Sequence, residues 1–211
     1  MQSIAIGVNG YPIISYYDQT NQDLKVAACK NPTCSGATES DGSTNSVVDS
    51  DGSVGQGSSI AIGVNGNPII SYTSATNLDL NATSFDLKVV VCKNSTCSGA
   101  IESDRPINTI IDSDGSIIGS TSITIGTNGN PIISYSDSTT WNLKVAACKN
   151  STCSGATESD RSTNNYLDSI GRFAGYDSIA IGANGNPIIS YYDSVNGDLK
   201  VVSPWWITGG R

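Results

Sequence analysis

The amino-acid sequence predicts an all-β fold, a four-bladed β-propeller built from four-stranded antiparallel blades with one repeat per blade. Three observations lead to this prediction. One unit recurs four times along 211 residues, each unit contains short β-branched and aromatic segments separated by turn residues, and no apolar stripe has a helical period. Because these segments are apolar on both faces, each sheet is expected to pack between two neighbouring sheets, as the blades of a propeller do.

The repeats are expected to form a single propeller domain over residues 1–211. They begin at Ser3, Ser59, Ser122 and Ser178, and they span about 3–58, 59–121, 122–177 and 178–202, followed by a non-repeated C-terminal tail at 203–211. The second repeat has 63 residues against 56 in the first. Its additional residues fall between Tyr72 and Leu87, where a loop is expected.

Four strands, named a to d, are predicted in order within each repeat. Strand a alternates isoleucine with small residues, and an Asn-Gly pair such as Asn9-Gly10 predicts the hairpin to strand b, which follows a proline. Strand c covers Leu24–Cys29 in the first repeat, and a weaker strand d covers Asn45–Asp49, with copies at Asn108–Asp112 and Asn165–Asp168. The fourth repeat has no copy of strand d, so fifteen strands are predicted and the last blade is expected to have an open edge.

The repeated string S-I-A-I-G-x-N-G-x-P-I-I-S-Y-Y-D, followed by D-L-K-V-A-A-C, resembles the repeat of bacterial extracellular β-propeller proteins. The resemblance covers nearly the whole chain except residues 203–211. It implies a propeller located outside the cell, and because some similar four-bladed proteins build extracellular fibres, it also implies assembly of that kind. Propellers host enzymes, lectins and scaffolds alike, so the repeat alone does not specify a function.

Six cysteines are arranged as three C-x4-C pairs, and we predict one local disulfide per pair. The pairs are Cys29 with Cys34, Cys92 with Cys97, and Cys148 with Cys153. Local disulfides indicate an oxidising, extracellular setting. A thiolate metal site and a redox-active pair are the alternatives, but three pairs do not divide evenly into four-thiolate sites and redox motifs have a shorter spacing. The segment Met1 to Ile4 lacks the charged and apolar regions of a signal peptide, so the extracellular prediction depends on the cysteines and the resemblance.

Composition excludes several functional classes. The formal net charge is −8 and histidine is absent. An acidic chain repels phosphate backbones, and no apolar run approaches the ~18 residues of a spanning helix, so neither a nucleic-acid partner nor membrane insertion is expected. Without histidine, Ser-His-Asp and Cys-His catalysis are excluded. Residues 40–44 match only the start of a sialidase-type Asp-box, and none of the four arginines lies at a repeated core position. We therefore predict that the chain is not an enzyme and has no cofactor.

Two pairs of aspartates are weak calcium candidates. Asp49 and Asp51, and likewise Asp112 and Asp114, place carboxylates two residues apart before a glycine. The calcium loop of an EF-hand needs a third oxygen ligand and a distal glutamate, and neither follows in register. A turn between strand d and the next strand a explains the same residues, and it is the favoured interpretation.

Tyrosine, lysine and aspartate also recur at fixed positions. The strand b tyrosines are expected to pack between blades, with sugar-stacking platforms as the alternative. The repeated lysines and aspartates are interpreted as solvent-exposed ion pairs of small energetic weight, with a ring of lysines as the alternative. The residues are Tyr16, Tyr72, Tyr135 and Tyr191; Lys25, Lys88, Lys144 and Lys200; and Asp18, Asp137 and Asp193.

The tail is apolar, and we expect it to behave as a docked, strand-like segment. It either folds back on the fourth blade or pairs with the next subunit, and the second arrangement is favoured because the last blade has an open edge. Head-to-tail pairing does not close on itself and produces a filament. The residues concerned are Pro204, Trp205, Trp206, Ile207 and Thr208.

The predicted function is therefore that of a non-enzymatic extracellular structural protein, a propeller that polymerises head-to-tail with itself into a surface fibre by terminal strand exchange. A glycan-binding, lectin-like propeller that recognises surface glycans is the alternative. That alternative predicts repeated exposed aromatic residues in the loops, and Trp141 is matched by Gln22 in the first repeat and by Gly197 in the fourth.

Overall fold

The computed structural model describes residues 2–35, 43–75, 85–98, 107–114, 116–155, 162–168 and 174–208. These residues form fifteen strands in four antiparallel sheets, together with one short 3-10 helix. Each sheet follows chain order without a crossover, so each repeat supplies one blade. The prediction of an all-β, four-bladed β-propeller is confirmed.

Three of the four blades contain four strands. Blade 1 consists of β1 (Gln2–Ile6), β2 (Pro12–Asp18), β3 (Asp23–Cys29) and β4 (Ser43–Asp49). Blade 2 consists of β5 (Ser53–Ile62), β6 (Pro68–Ala75), β7 (Asp86–Val91) and β8 (Ile107–Asp112). Blade 3 consists of β9 (Ile117–Ile125), β10 (Pro131–Asp137), β11 (Asn142–Cys148) and β12 (Ser162–Asp168). Blade 4 consists of β13 (Ala174–Ile181), β14 (Pro187–Asp193) and β15 (Asp198–Val202), and the 3-10 helix spans Trp205–Thr208.

The Asn-Gly pairs form the predicted turns between the first two strands of each blade. In blade 1, Ile6 pairs with Pro12, the Gly10 amide donates to the Gly7 carbonyl at 2.9 Å, and the Asn9 side chain accepts from the Tyr11 amide at 3.0 Å. Gly10 has a φ of 78°, in the left-handed region that glycine adopts without steric cost. The turn therefore sets the register of the hairpin.

Strand a is longer than the sequence predicts in blade 2, because β5 begins at Ser53 and not at Ser59. The additional residues continue to pair with β6, through register shifts near Gln56. Gly55 lies in this segment, and a Cβ atom there would come 2.7 Å from the Cα of Leu24 in blade 1. A glycine is thus required where the strand passes close to the preceding blade.

The hydrophobic core lies between the blades, in three clusters. The first strands of the blades are neighbours, since β5 packs beside β1 and β9, and β13 packs beside β9. One cluster joins blades 1 and 2 around Leu24 and Tyr72, the second joins blades 2 and 3 around Leu87 and Tyr135, and the third joins blades 3 and 4 around Leu143. Among the described residues, no comparable packing joins β13 to β1.

Blade 4 ends at β15, so among the described residues its sheet has three strands and lacks the fourth. This agrees with the missing copy of strand d in the sequence. The edge of β15 consequently has no neighbouring strand in the described part of the chain. No helix among the described residues is long and apolar enough to cross a membrane.

Candidate functional site

A polar cluster of aspartate, tyrosine and lysine crosses each of the three junctions between blades. At the first junction, Asp49 at the end of β4 accepts a hydrogen bond from the Tyr72 hydroxyl at 2.6 Å, and Lys88 Nζ lies 3.5 Å from the same oxygen. Tyr72 and Lys88 both belong to blade 2. The cluster therefore attaches each blade to the one before it.

The same arrangement recurs at the other two junctions. The Tyr135 hydroxyl donates to Asp112 at 2.5 Å, and Lys144 pairs with the same carboxylate. Tyr191 donates to Asp168, and Lys200 Nζ lies 3.7 Å from that carboxylate. We call these three groups the junction clusters. Their members are Asp49, Tyr72 and Lys88; Asp112, Tyr135 and Lys144; and Asp168, Tyr191 and Lys200.

Burial distinguishes the first two junction clusters from surface ion pairs. The side chains of Lys144 and Asp112 are 5% and 2% exposed, whereas those of Lys200 and Asp168 are 34% and 26% exposed. Burial, and then the neighbouring Asp112, raise the pKa of Tyr135 well above its usual value, so the hydroxyl remains a donor. The interpretation of the repeated lysines as solvent-exposed is therefore wrong for Lys88 and Lys144, because both are buried between blades.

Aspartates at the end of strand b form ion pairs with the strand c lysine of the same blade. Asp137 lies 3.8 Å from Lys144, and Asp193 lies 2.8 Å from Lys200. In blade 1, Lys25 pairs with Asp18, and this hydrogen bond lowers the pKa of the Asp18 carboxyl below its usual range. The intrablade pairing between these positions was predicted, and the additional aspartate from the preceding blade was not.

The junction clusters use the carboxylates that the sequence offered as weak calcium ligands. Oδ2 of Asp49 accepts from Tyr72, and its Oδ1 accepts from the Asp51 amide at 3.1 Å. Asp112 accepts in the same way from Tyr135 and from the Asp114 amide at 3.0 Å. Asp51 and Asp114 are exposed. Among the described residues, no group of three or more His, Cys, Asp or Glu is placed to hold a metal ion.

A second set of hydrogen bonds joins the first strands of neighbouring blades. The Ser3 hydroxyl accepts from the Ile60 amide at 3.3 Å, Ser59 accepts from Ile123 at 3.2 Å, and Ser122 accepts from Ile179 at 3.1 Å. Beside each of these bonds, a second-strand serine contacts a hydroxyl or carboxylate of the next blade. These pairs are Ser15 with Ser58, Ser71 with Thr121, and Ser134 with Asp177.

Asp177 is a buried carboxylate at a position where the other junctions have hydroxyl groups. It accepts from Ser134, while its Oδ1 has no hydrogen-bond partner. Burial raises the pKa of Asp177 to about 6, against the opposing effect of the Ser134 hydrogen bond. A role for Asp177 was not predicted from the sequence, although alignment of the repeats places it opposite Ser58 and Thr121.

The structure contains all three predicted disulfides, Cys29–Cys34, Cys92–Cys97 and Cys148–Cys153, with Cα atoms 4.9–5.0 Å apart. An asparagine organises each loop: Asn31 accepts from the Thr33 and Ser35 amides at 3.1 and 3.0 Å. Asn94 and Asn150 make the same contacts in the other two loops. The disulfides are therefore parts of compact loops at the end of strand c, without free thiols among the described residues.

The tail lies against its own blade in the single chain. Trp205–Thr208 form a 3-10 helix, so the expectation of a strand-like segment is wrong. The Ser203 hydroxyl donates to the Pro187 carbonyl at 2.9 Å, Pro204 is buried, and Ile207 packs against the core between blades 3 and 4. The proline and the anchored isoleucine explain the helical turn, which leaves Trp205 and Trp206 largely exposed. Residues 209–211 lie outside the described part of the chain.

The two terminal blades expose apolar residues whose counterparts are buried in the other blades. On the face of blade 4 that points away from blade 3, Leu199 is 75% exposed and Val201 is 62% exposed. Their counterparts Leu24, Leu87 and Leu143, and Val26, Val89 and Val145, are all 0% exposed. We call this surface of Ile188, Leu199 and Val201 the forward face.

Blade 1 exposes the face that packs against the preceding blade in blades 2, 3 and 4. Ile4 is 60% exposed, although its counterparts Ile60, Ile123 and Ile179 are 6–8% exposed because each packs against the preceding blade. Ile6 is exposed beside it. We call the surface of Ile4, Ile6 and the half-buried Ile14, which pairs with Ile4, the rear face. Period-two alternation within strand a predicted which isoleucines share this face, but nothing in the repeat predicted that the face is left uncovered.

No protein-family model matches the chain, and no curated protein matches it. Solved structures match its fold at low sequence identity. A protein of unknown function from Dyadobacter fermentans matches with a TM-score of 0.63 and 7% identity, over 96% of this chain and 59% of that one. A thermostable family-43 glycoside hydrolase matches with a TM-score of 0.58 and 12% identity, over 96% of this chain and 70% of the enzyme.

A leech intramolecular trans-sialidase is also similar, with a TM-score of 0.58 and 13% identity over 94% of this chain. The chain spans 30% of the length of that enzyme and 59% of the Dyadobacter protein. At such identities the similarity shows the fold alone. The chain therefore shares a β-propeller fold with proteins that include glycoside hydrolases and a trans-sialidase.

Proposed function

We propose that the chain is a non-enzymatic structural protein that acts outside the cell. Its first and last blades would associate with blades of other molecules. The single observation that supports this proposal most strongly is the exposed forward face. Leu199 and Val201 occupy positions that are fully buried in blades 1, 2 and 3. Burying an exposed Leu, Ile or Val side chain contributes roughly 1.5–3 kcal/mol, so such a face favours a partner.

The use of the acidic residues supports a structural role over a catalytic one. A glycosidase needs two carboxylates on either side of the bond that it cleaves. Here the recurrent carboxylates Asp49, Asp112 and Asp168 accept hydrogen bonds from tyrosines and lie beside lysines of the next blade. They are committed to contacts between blades and are poorly placed to act on a substrate.

The open edge of β15 supports the finer proposal of a surface fibre formed by terminal strand exchange. A strand from a neighbouring subunit could pair with this edge by β-augmentation, and head-to-tail exchange of this kind continues indefinitely. Since Trp205–Thr208 form a 3-10 helix anchored by Ile207, the tail would have to leave its own blade before it could be donated. The three disulfides agree with an oxidising, extracellular setting.

The proposal is tested by measuring the size of the purified protein by light scattering over a wide range of concentration, together with negative-stain microscopy. Association that increases with concentration, with filaments or discrete oligomers on the grid, is the expected result. A particle that retains the mass of one chain at every concentration would contradict the proposal.

Glycan binding is a second candidate, favoured by an exposed aromatic pair. The rings of Trp205 and Trp206 are 6.1 Å apart in an edge-to-face arrangement, with side chains 59% and 48% exposed. Exposed aromatic rings stack on sugars, and two of the propellers with a similar fold are enzymes that act on glycosides or sialosides. A glycan array separates the candidates: binding that is lost in a Trp206→Ala variant supports a lectin, and an array without hits contradicts it.

A further inference from the structure

We propose that the forward face of blade 4 binds the rear face of blade 1 of a second copy of this chain, so that the junction between consecutive blades is repeated between molecules. This inference rests on the proposed function and names its interface. It is carried by continuity with the three junctions inside the chain, because the two exposed faces are the two halves of that same junction.

The apolar halves match by position. At each internal junction, the leucine and valine of strand c in one blade pack beside the isoleucines of strand a in the next. Leu199 and Val201 supply the first half on blade 4, and Ile4 and Ile6 supply the second half on blade 1. Docking would bury both sets in the environment that their counterparts already have.

The polar halves match as well. Ser178 is the counterpart of Ser3, Ser59 and Ser122, each of which accepts a hydrogen bond from a strand a amide of the next blade. The amide in the corresponding position on a second copy is that of Ile4. Ser190 is the counterpart of Ser15, Ser71 and Ser134, which are fully buried at junctions. Its partner position on blade 1 is the exposed Gln2, whose amide can donate to or accept from a hydroxyl.

The Asn-Gly turns show the same uncovered position on blade 1. A Cβ on Gly66, Gly129 or Gly185 would lie 2.9–3.1 Å from a side-chain atom of Val8, Val64 or Thr127 in the preceding blade. A Cβ on Gly10 would meet no atom of the described residues within 4 Å. The residue that would fill this space is the counterpart of Val8 in a preceding blade, which is the exposed Ala183 of blade 4.

The intermolecular junction differs from the internal ones in one respect. Blade 4 has no fourth strand among the described residues, so it supplies no counterpart of Asp49, Asp112 or Asp168 to the next blade. The docked pair therefore lacks a junction cluster and is held mainly by apolar contacts. We expect this interface to be weaker than the internal junctions, and association to depend on concentration and to resist added salt.

Disulfide cross-linking between two single variants tests the interface. At the first and second internal junctions, the residues equivalent to Ser190 and Gln2 have their side-chain hydroxyl oxygens 3.1 and 2.7 Å apart. Ser190→Cys protein is mixed with Gln2→Cys protein, oxidised, and run on a denaturing gel without reductant. A covalent dimer is expected. Thr20→Cys, at an exposed turn of blade 1, replaces Gln2→Cys in the matched control, which should stay monomeric.

The outcomes are distinguishable. A dimer that forms with Gln2→Cys and not with Thr20→Cys supports the proposal. A double variant carries both Ser190→Cys and Gln2→Cys in one chain. If the mixture gives no dimer but this double variant cross-links within one chain, the two faces meet in the same molecule and the proposal is overturned. If neither cross-link forms while the wild type still associates by light scattering, this interface is wrong and the proposed function stands. A wild type that stays monomeric contradicts both.

Discussion

At the scale of single residues, the fold depends on carboxylates that lie between blades. Asp112 is almost fully buried and contacts Tyr135 and Lys144 of the following blade. Two charges removed from water remain favourable only when both are paired and hydrogen bonded. The junction clusters should therefore be most sensitive to mutation where they are most buried.

We predict that Asp112→Asn lowers the free energy of unfolding by about 3 kcal/mol, the usual cost of removing one partner from a buried ion pair. Among the described carboxylates, Lys144 then retains Asp137, at 3.8 Å. Asp168→Asn is the matched variant at the partly exposed third junction, where solvent screens the remaining charge. Urea unfolding of the two variants should show the smaller loss for Asp168→Asn, and equal losses would contradict the importance of burial.

Asp177 is predicted to make stability depend on pH. Its folded pKa of about 6 exceeds the ordinary 3.8, so its contribution is most favourable at low pH and is lost as the pH rises through about 6. A shift of this size corresponds to about 3 kcal/mol. Asp177→Ser, which introduces the residue found at position 58, should be more stable than the wild type at pH 8 and similar to it near pH 4. Thermal unfolding across this range measures the difference, and a difference that does not vary with pH would contradict the prediction.

At the scale of strands and loops, much of the fold could be predicted from local chemistry. The Asn-Gly turns, the prolines before strand b and the alternating isoleucines act within one repeat, so they specify each hairpin by themselves. The contacts of Asp49 with Tyr72 and Lys88 join residues 23 and 39 positions apart. The tyrosine and the lysine recur in all four repeats and the aspartate recurs in the first three, but their pairing depends on how one blade packs on the next. Repetition alone therefore could not distinguish a surface ion pair from a buried one.

The structure of the C-terminal tail could also be predicted only in part from the sequence. Pro204 and the apolar residues after it predicted a docked segment, and Ile207 is packed against the core between blades 3 and 4. The helical turn depends on the anchoring of Ile207 against that core, which is a tertiary contact.

The tail is predicted to stabilise its own blade through Ile207. Ile207→Asp would place a charge against the core between blades 3 and 4 and should lower the thermal unfolding temperature. Trp206→Asp is the control, because that side chain is 48% exposed and should tolerate the charge. If the two variants unfold at the same temperature, the tail does not dock as described.

At the scale of the whole molecule, four similar blades form three junctions and leave one face uncovered at each end. Leu199 and Val201 on blade 4 and Ile4 on blade 1 are exposed only because no described blade covers them. The repeat predicted four blades, but it could not predict whether the first and last of them meet. That depends on the angle between successive blades, which is set by the packing of side chains at the junctions and not by the strand pattern.

Association through the forward face of blade 4 can be tested by light scattering on three proteins. Wild type is compared with Leu199→Asp and with Val64→Asp, which introduces the same charge at a 72% exposed position of blade 2. Because Leu199 is 75% exposed in the single chain, its replacement should leave the fold intact. We predict that wild type and Val64→Asp associate as concentration rises, whereas Leu199→Asp keeps the mass of one chain. Association of Leu199→Asp equal to that of the wild type would contradict association through this face.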